Sequence, residues 1–213
     1  MTKIADSLLI IVLLLNFFAL GTSRIKALVT GSAAQGIALG IVALLAHGTF
    51  GFQPLLIAVV TLSLKGILIP QMLLRALRDV GIRREVEPLI GLIPSLLLCA
   101  LGTGLAVLFS HALPLAKEHE VSLLVPTSLS TVFSGFLLLT TRRKAISQVV
   151  GYLVLENGVF IMGLTLVHAM PFLVEMGVLL DLLVAIFVMG IIINHIKREF
   201  ASLDTTRLSQ LRD

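Results

Sequence analysis

The chain has 213 residues, of which 57% are hydrophobic and only 13% are charged, and its mean hydropathy is +1.07. A soluble domain of this size cannot bury so much apolar surface, because much of the exterior of any globule faces water. The net charge of +4 does not indicate a nucleic-acid-binding protein, because the basic residues flank apolar runs instead of covering one soluble face. We therefore predict an all-α integral membrane protein.

Seven apolar runs are long enough to cross about 30 Å of hydrocarbon as helices. In chain order they are residues 6–21, 27–46, 55–74, 88–110, 122–140, 145–168 and 172–196. No small-residue cleavage site follows the first run, so we interpret it as a membrane helix and not as a signal peptide.

The basic residues between the runs predict the orientation of the chain in the membrane. One side would hold thirteen of them, including Arg24, Arg142 and Arg198, whereas the other would hold only Lys3 and Lys117. Because cytoplasmic loops carry an excess of lysine and arginine, we expect the N-terminus outside and the C-terminus in the cytoplasm.

The order of these landmarks recurs along the chain, since Arg24 and Arg142 occupy equivalent turns about 118 residues apart. This recurrence predicts two parallel three-helix units joined by an extra helix. The expected divisions are a first unit at 1–87, an inserted helix and outer loop at 88–121, a second unit at 122–198 and a polar tail at 199–213. The alternative is that all helical hairpins share such landmarks.

Three ionisable residues lie near the middle of predicted helices, namely Lys65, Glu156 and Asp181. A charge at the bilayer centre costs roughly 2.5–3.5 kcal/mol on insertion scales, and such residues usually face a bundle interior and mark a path for ions or protons. Burial disfavours the charged form of both residue types, so each could accept and release a proton. We predict a proton relay of these three residues.

Other polar groups would support the relay, namely Asn157, Asn194 and Glu175. Pro70 follows Lys65 by five residues, and it would either open a polar pocket there or only kink the helix. A structural alternative stays open, in which the acids hold helices in register and Lys65 only pairs with one of them.

The remaining residues indicate no catalytic or cofactor site in this chain. The five histidines lie at helix ends or in loops without metal-ligand spacing, and no iron–sulfur, haem or nickel ligand set is present in the sequence. The single cysteine, Cys99, is expected to be a buried apolar thiol. Ser32, Gly36 and Gly40 form a row of small residues that permits a close helix contact, either internal or with a partner.

The C-terminal half carries a recognisable order of short motifs, namely Thr141-Arg142-Arg143-Lys144, Gly151, Asn157, Asp181 and His195-Ile196-Lys197-Arg198. In this order it resembles the K subunit of bacterial complex I. The order of seven helices and the tail Leu203-Asp204-Thr205-Thr206-Arg207-Leu208 make the whole chain similar to the hydrogenase-4 component E family. The K subunit differs in one respect, because it carries its acid near the place of Leu153, about one turn before Glu156.

This resemblance implies an accessory, non-catalytic subunit of a proton-translocating redox complex of the hydrogenase, formate hydrogenlyase or complex I type. It implies no cofactor in this chain, a bacterial or archaeal inner membrane, antiporter-like and quinone-module-like membrane partners, and a cytoplasmic redox arm near the basic loops. The alternatives are a subunit of a multisubunit cation/proton antiporter and a structural membrane scaffold.

Overall fold

The computed structural model describes residues 3–46, 55, 59, 61–80, 88–112, 123–165 and 190, and the elements within these ranges are helices. They are α1 (Lys3–Gly21), α2 (Ile25–Ala46), a π-helix (Leu62–Leu68) that continues directly as α3 (Ile69–Val80), α4 (Leu92–Ala112), α5 (Leu124–Thr141) and α6 (Ala145–Thr165).

Five of these helices are long and apolar enough to cross a membrane, namely α1, α2, α4, α5 and α6. They correspond to the first, second, fourth, fifth and sixth apolar runs, and they make the chain a multi-pass membrane protein. The seventh run, with Glu175, Asp181 and Asn194, lies outside the described residues. The count of seven helices, the orientation and the repeat remain predictions.

Two antiparallel hairpins, α1–α2 and α5–α6, form the centre of the molecule. Helix α1 packs against α5, and α2 packs against α6. Helix α4 covers α1 and α5 from one side, while the π-helix and α3 pack on α2 from another. One apolar cluster, which includes Leu20, Ile25, Leu138 and Val150, lies towards the hairpin turns. A second cluster, which includes Leu9, Leu39 and Ile161, lies towards the opposite end.

Helices α5 and α6 approach each other closely because glycines occupy their contact. A Cβ atom at Gly151 would lie 2.6 Å from the backbone nitrogen of Leu139, and one at Gly158 would lie 2.5 Å from that of Val132. Small residues on facing helices let the two backbones meet in the membrane. This hairpin therefore presents its polar side chains at short range to the rest of the bundle.

Helix α3 extends beyond its predicted end at residue 74 and continues to Val80. Its buried side chains include Ile69, Leu73, Ala76 and Leu77, which follow helical spacing past the end of the apolar run. Arg75 and Arg78, which we expected in a loop, lie on the exposed face of this helix. The helix therefore continues beyond the end of the apolar run.

The two hairpin turns are joined by Arg142, which we also expected in an aqueous loop. Its side chain is buried, and its Nη2 donates to the carbonyl oxygen of Leu20 at 2.8 Å and to that of Thr22 at 3.5 Å. The guanidinium thus satisfies free carbonyls at the C-terminal end of α1, where a positive charge is also favoured by the helix dipole.

Candidate functional site

Lys65 and Glu156 form an ion pair in the interior of the bundle. The Nζ atom of Lys65 lies 3.6 Å from Oε1 of Glu156, and the two side chains are only 4% and 7% exposed. Glu156 stands eleven residues after Ala145, the first residue of α6, which places it about 17 Å along a helix of 21 residues. The pair therefore lies near the middle of the membrane-spanning length of α6.

An aromatic ring also contacts the ammonium group of Lys65. The Nζ atom of Lys65 lies 5.1 Å from the ring centroid of Phe160, within the range of a cation–π contact. Phe160 follows Glu156 by four residues, so both face the same side of α6. The ammonium group is therefore bound by one helix face that offers it a carboxylate and an aromatic ring.

The backbone around Lys65 is a π-helix, in which the N–H of Ile69 donates to the carbonyl of Leu64, five residues earlier. Pro70 lies two residues beyond its end. Proline has no N–H, and its ring crowds the preceding turn, so a regular α-helix is disfavoured at this point. Single π-helical turns occur frequently at functional sites, and this one carries the buried lysine.

Glycines in α2 bring the π-helix within reach of α6. A Cβ atom at Gly36 would lie 2.8 Å from the Cβ, backbone carbon and carbonyl oxygen of Lys65, and one at Gly40 would lie 2.5 Å from the side chain of Leu62. The row of small residues in α2 thus makes an internal contact at these two positions. The absence of a side chain at Gly36 lets Lys65 approach the centre of the bundle.

Beside the ion pair, hydrogen-bonded polar side chains cross the bundle through four helices. Asn157 donates from Nδ2 to Oε1 of Gln35 at 3.4 Å, and Gln35 donates from Nε2 to Oδ1 of Asn16 at 2.8 Å. Asn16 in turn donates to Oγ1 of Thr131 at 2.9 Å. All four residues are buried, and they link α6, α2, α1 and α5. We call these four residues the amide network.

Helix α5 contributes a row of buried hydroxyl groups along the same interior. Ser128 donates to the carbonyl of Gly158 at 3.0 Å, and Ser130 shares a 2.7 Å hydrogen bond with Thr103 of α4. Thr131 and Ser134 donate within α5 to the carbonyls four residues earlier. The hydroxyl row therefore makes the side of α5 that faces the bundle polar without any charge.

The sequence prediction identified part of this site. The structure brings Lys65 and Glu156 together and places Asn157 in the amide network. It does not describe Asp181, so the proposed pairing at matched depth between Asp181 and Glu156 remains a prediction. Cys99 is buried as expected, and its sulfur lies 3.5 Å from the hydroxyl of Ser134.

The sequence analysis did not identify three residues of the amide network, namely Asn16, Gln35 and Thr131, nor the row of hydroxyl groups on α5. A signal for them exists in the sequence, because Thr127, Ser130, Thr131 and Ser134 recur at the spacing of one helix face. Asn16 and Gln35 are likewise the amides nearest the middle of two adjacent apolar runs. Serine and threonine barely lower the hydropathy of a run, and a single amide in each of the first two runs leaves the run apolar overall. Neutral groups of this kind also carry no charge, and the sequence prediction of a site was based on charges.

Comparisons with known proteins give two levels of similarity. The chain is 32% identical over 192 residues to the uncharacterized protein Rv0085 of Mycobacterium tuberculosis, which covers 89% of this chain and 87% of that protein. It is 26% identical over 148 residues to hydrogenase-4 component E of Escherichia coli, and this match covers 70% of this chain and 68% of that protein. The protein of the same name from Shigella flexneri gives the same values. No protein-family model matches the chain, and no solved structure matches it significantly.

Proposed function

We propose that this chain, which belongs to the family of the Mycobacterium tuberculosis protein Rv0085, is a non-catalytic membrane subunit of a hydrogenase-type redox complex. The proposal is based on this membership, on the more distant similarity to hydrogenase-4 component E and on the buried ion pair. In this proposal the chain relays protons or charge laterally within the membrane. The redox chemistry and its cofactors belong to other subunits.

The observation that carries this proposal is the contact between Lys65 and Glu156, two residues of opposite charge that are both more than nine-tenths buried. A purely apolar contact would hold the same helices together at lower cost, because removing two charges from water requires several kcal/mol for each ion. Ionisable residues inside a membrane protein mark ion or proton pathways by default. The pair is thus better suited to handling charge than to packing alone.

The chemistry available to the pair is the gain and loss of one proton on the carboxylate. A proton that binds Glu156 cancels its negative charge, and the ammonium group of Lys65 then loses its compensating partner. In a medium of low dielectric constant, the uncompensated positive charge strongly disfavours further cations nearby. Proton arrival at Glu156 and movement of charge at Lys65 are therefore coupled, which is the elementary step of a relay.

The amide network has a different task in this proposal. Amide side chains donate and accept hydrogen bonds but remain neutral near pH 7, so they do not exchange protons as carboxylates do. Asn157 directly follows Glu156, and its bond to Gln35 fixes the turn of α6 that carries the acid. The network would therefore hold the position of Glu156, while protons pass through the acid itself.

The partners follow from the same proposal. Lys65 and Glu156 supply a mid-membrane segment of a path that antiporter-like and quinone-module-like membrane subunits would continue on either side. Asp181, Asn194 and Glu175 are proposed to extend the path within this chain. The exposed basic residues Arg75 and Arg78 of α3 offer a contact for a cytoplasmic redox arm.

The test is the substitution Glu156→Gln in the native complex, which keeps the shape and hydrogen-bonding capacity of the side chain but removes its titration. The redox activity of the purified complex and the uncoupler-sensitive acidification of vesicles that contain it would be measured together with subunit stoichiometry. We expect assembly to be retained and proton movement per electron pair to be lost.

The matched control is Asp6→Asn, which makes the same change from carboxylate to amide in the first turn of α1, away from the ion pair. It should leave coupling unchanged if the effect depends on the position of Glu156. Unchanged coupling in an assembled Glu156→Gln complex would rule out the relay. Failure of assembly in that variant would instead favour the structural scaffold, since the charge would then be needed for packing.

A further inference from the structure

A groove runs along the outer surface of the first hairpin, on the surface between α1 and α2. Its volume is about 500 Å³, which lies within the range of pockets that bind small molecules. Leu15 and Phe18 of α1 form one wall, and Ala27, Gly31 and Ala34 of α2 line the other side. None of the groove residues belongs to the ion pair or to the amide network.

The groove exists because α2 carries small side chains on this face. Ala27, Gly31 and Ala34 follow one another at helical spacing, so together they leave a depression about 10 Å long on the helix surface. A Cβ atom at Gly31 would lie 3.3 Å from the ring of Phe18, so the ring lies against the backbone of α2 at this point. A larger side chain at Gly31 would therefore fill the groove or displace the ring.

The two ends of the groove differ in charge. Arg24 and Lys26, both exposed, line the end at the α1–α2 turn, where the chain leaves the apolar part of the membrane. Thr30 lies beside them, and its hydroxyl donates to the carbonyl of Lys26 at 2.8 Å. Among the described residues, the rest of the lining is apolar and contains no carboxylate. The groove thus combines two cations at the membrane boundary with an apolar channel directed towards the bilayer centre.

We infer that this groove binds one anionic phospholipid, with its phosphate between Arg24 and Lys26 and one acyl chain along Gly31 and Ala34. Basic pockets at the membrane boundary select anionic head groups, and each lysine or arginine near the surface adds to that attraction. An acidic segment of another protein would match the two cations, but it would leave the apolar channel without a matching group. An anionic phospholipid matches both ends of the groove at once.

The experiment uses the complex isolated with this chain and reconstituted in phosphatidylcholine vesicles that contain a small fraction of photoactivatable phosphatidylglycerol. After illumination, labelled peptides are identified by mass spectrometry. We expect the label on the peptides that carry Phe18 and Gly31, and we expect unlabelled phosphatidylglycerol to compete with it at least tenfold better than phosphatidylcholine does.

Two variants and two matched controls test the two ends separately. The double variant Arg24→Gln/Lys26→Gln should lower the labelling on the order of tenfold, and Gly31→Leu should abolish it by filling the groove. Arg143→Gln/Lys144→Gln removes the same number of charges at the α5–α6 turn, and Gly104→Leu adds the same side chain on α4, where a Cβ meets nothing within 4 Å. Both controls should retain the labelling.

Three results would overturn the assignment. Equal competition by phosphatidylcholine would mean that ordinary bilayer lipid fills the groove. Equal loss of labelling in the variants and in their controls would mean that the groove residues have no special part in it. Label on peptides of another subunit and not on those that carry Phe18 and Gly31 would mean that a protein covers the groove. None of these results bears on the relay, because proton coupling is measured separately.

Discussion

Helices α4 and α6 each contain 21 residues, and both are apolar enough to span a membrane, but they are buried to very different extents. In the most apolar part of α6, 67% of the residues are buried within the chain, compared with 22% in α4. Helix α4 buries a narrow stripe of small residues, Ser95, Cys99, Ala106 and Ser110, and exposes large ones such as Ile93 and Leu108.

This difference in burial determines where the chain can carry polar groups. Helix α6 meets α5 and α2, so Glu156 and Asn157 have protein partners on both sides. Within the described residues, helix α4 meets its neighbours along this stripe, and its exposed side chains must suit hydrocarbon. Two helices that length and hydropathy place in one class therefore have different roles, and only α6 carries the ionisable site.

The largest expected effect is the loss of one partner of the ion pair. Lys65→Met leaves the carboxylate of Glu156 without its lysine and offers it no polar replacement, whereas the amide of Glu156→Gln still offers Lys65 an acceptor. Breaking a buried pair by such an apolar replacement typically destabilises a protein by about 3–5 kcal/mol. Unfolding of the purified protein in a sodium dodecyl sulfate titration would measure the loss. The double variant Lys65→Met/Glu156→Met should recover much of it, and a double variant no more stable than the single one would contradict this reading.

The next effect compares packing on the two helices directly. Leu153→Ala removes a side chain of α6 that is only 6% exposed and should cost about 2–5 kcal/mol. Leu101→Ala makes the same change on α4 at a side chain that is 60% exposed, and it should cost far less. The same titration checks both variants, and equal losses would show that α4 is covered in the purified protein.

A smaller effect is expected at Gly36, the glycine that lets Lys65 approach the centre of the bundle. Gly36→Ala places a methyl group against the backbone of Lys65, and overpacking of this kind costs about 1–3 kcal/mol. Gly104→Ala on α4 adds the same group in open space and should be neutral or slightly stabilising. A neutral Gly36→Ala variant, judged by the same unfolding titration, would mean that the π-helix can move away from α2 without loss.

The smallest effect concerns the amide network. Gln35→Met keeps the size of the side chain but removes its bonds to Asn16 and Asn157, and hydrogen bonds between membrane helices average about 0.6 kcal/mol. Thr103→Val on α4 removes one bond, to Ser130, so its unfolding midpoint should move less. A larger shift for Thr103→Val than for Gln35→Met would reverse the proposed ranking of the two regions.

The sequence was sufficient to predict the membrane class, five helices and the burial of Lys65 and Glu156 inside the bundle. These features follow from the length of apolar runs and from the high cost of a charge in lipid, both of which are local properties of the chain. The distant similarity to hydrogenase-4 component E was also visible in the sequence and is confirmed by the comparison.

The partners within the site could not be predicted in the same way. Lys65 was left without an assigned acid, because its pairing depends on how Gly36 lets the π-helix approach α6. Arg142 lies in the loop between α5 and α6 as predicted, but its burial was not predicted, because its bonds to the carbonyls of Leu20 and Thr22 join it to a distant turn. Each of these contacts joins segments that are distant in sequence, so periodicity along one segment does not reveal them.

The position of Lys65 in the chain has a consequence for biosynthesis. The lysine is translated about ninety residues before Glu156, so it enters the bilayer while its counter-charge has not yet been made. Asn16 and Gln35 bond each other within the first hairpin, so that hairpin can satisfy its own amides at this stage. The carboxylate that pairs with the lysine arrives only with α6, so insertion of the lysine is the step at which this chain depends most on the translocon and on the prompt arrival of α6.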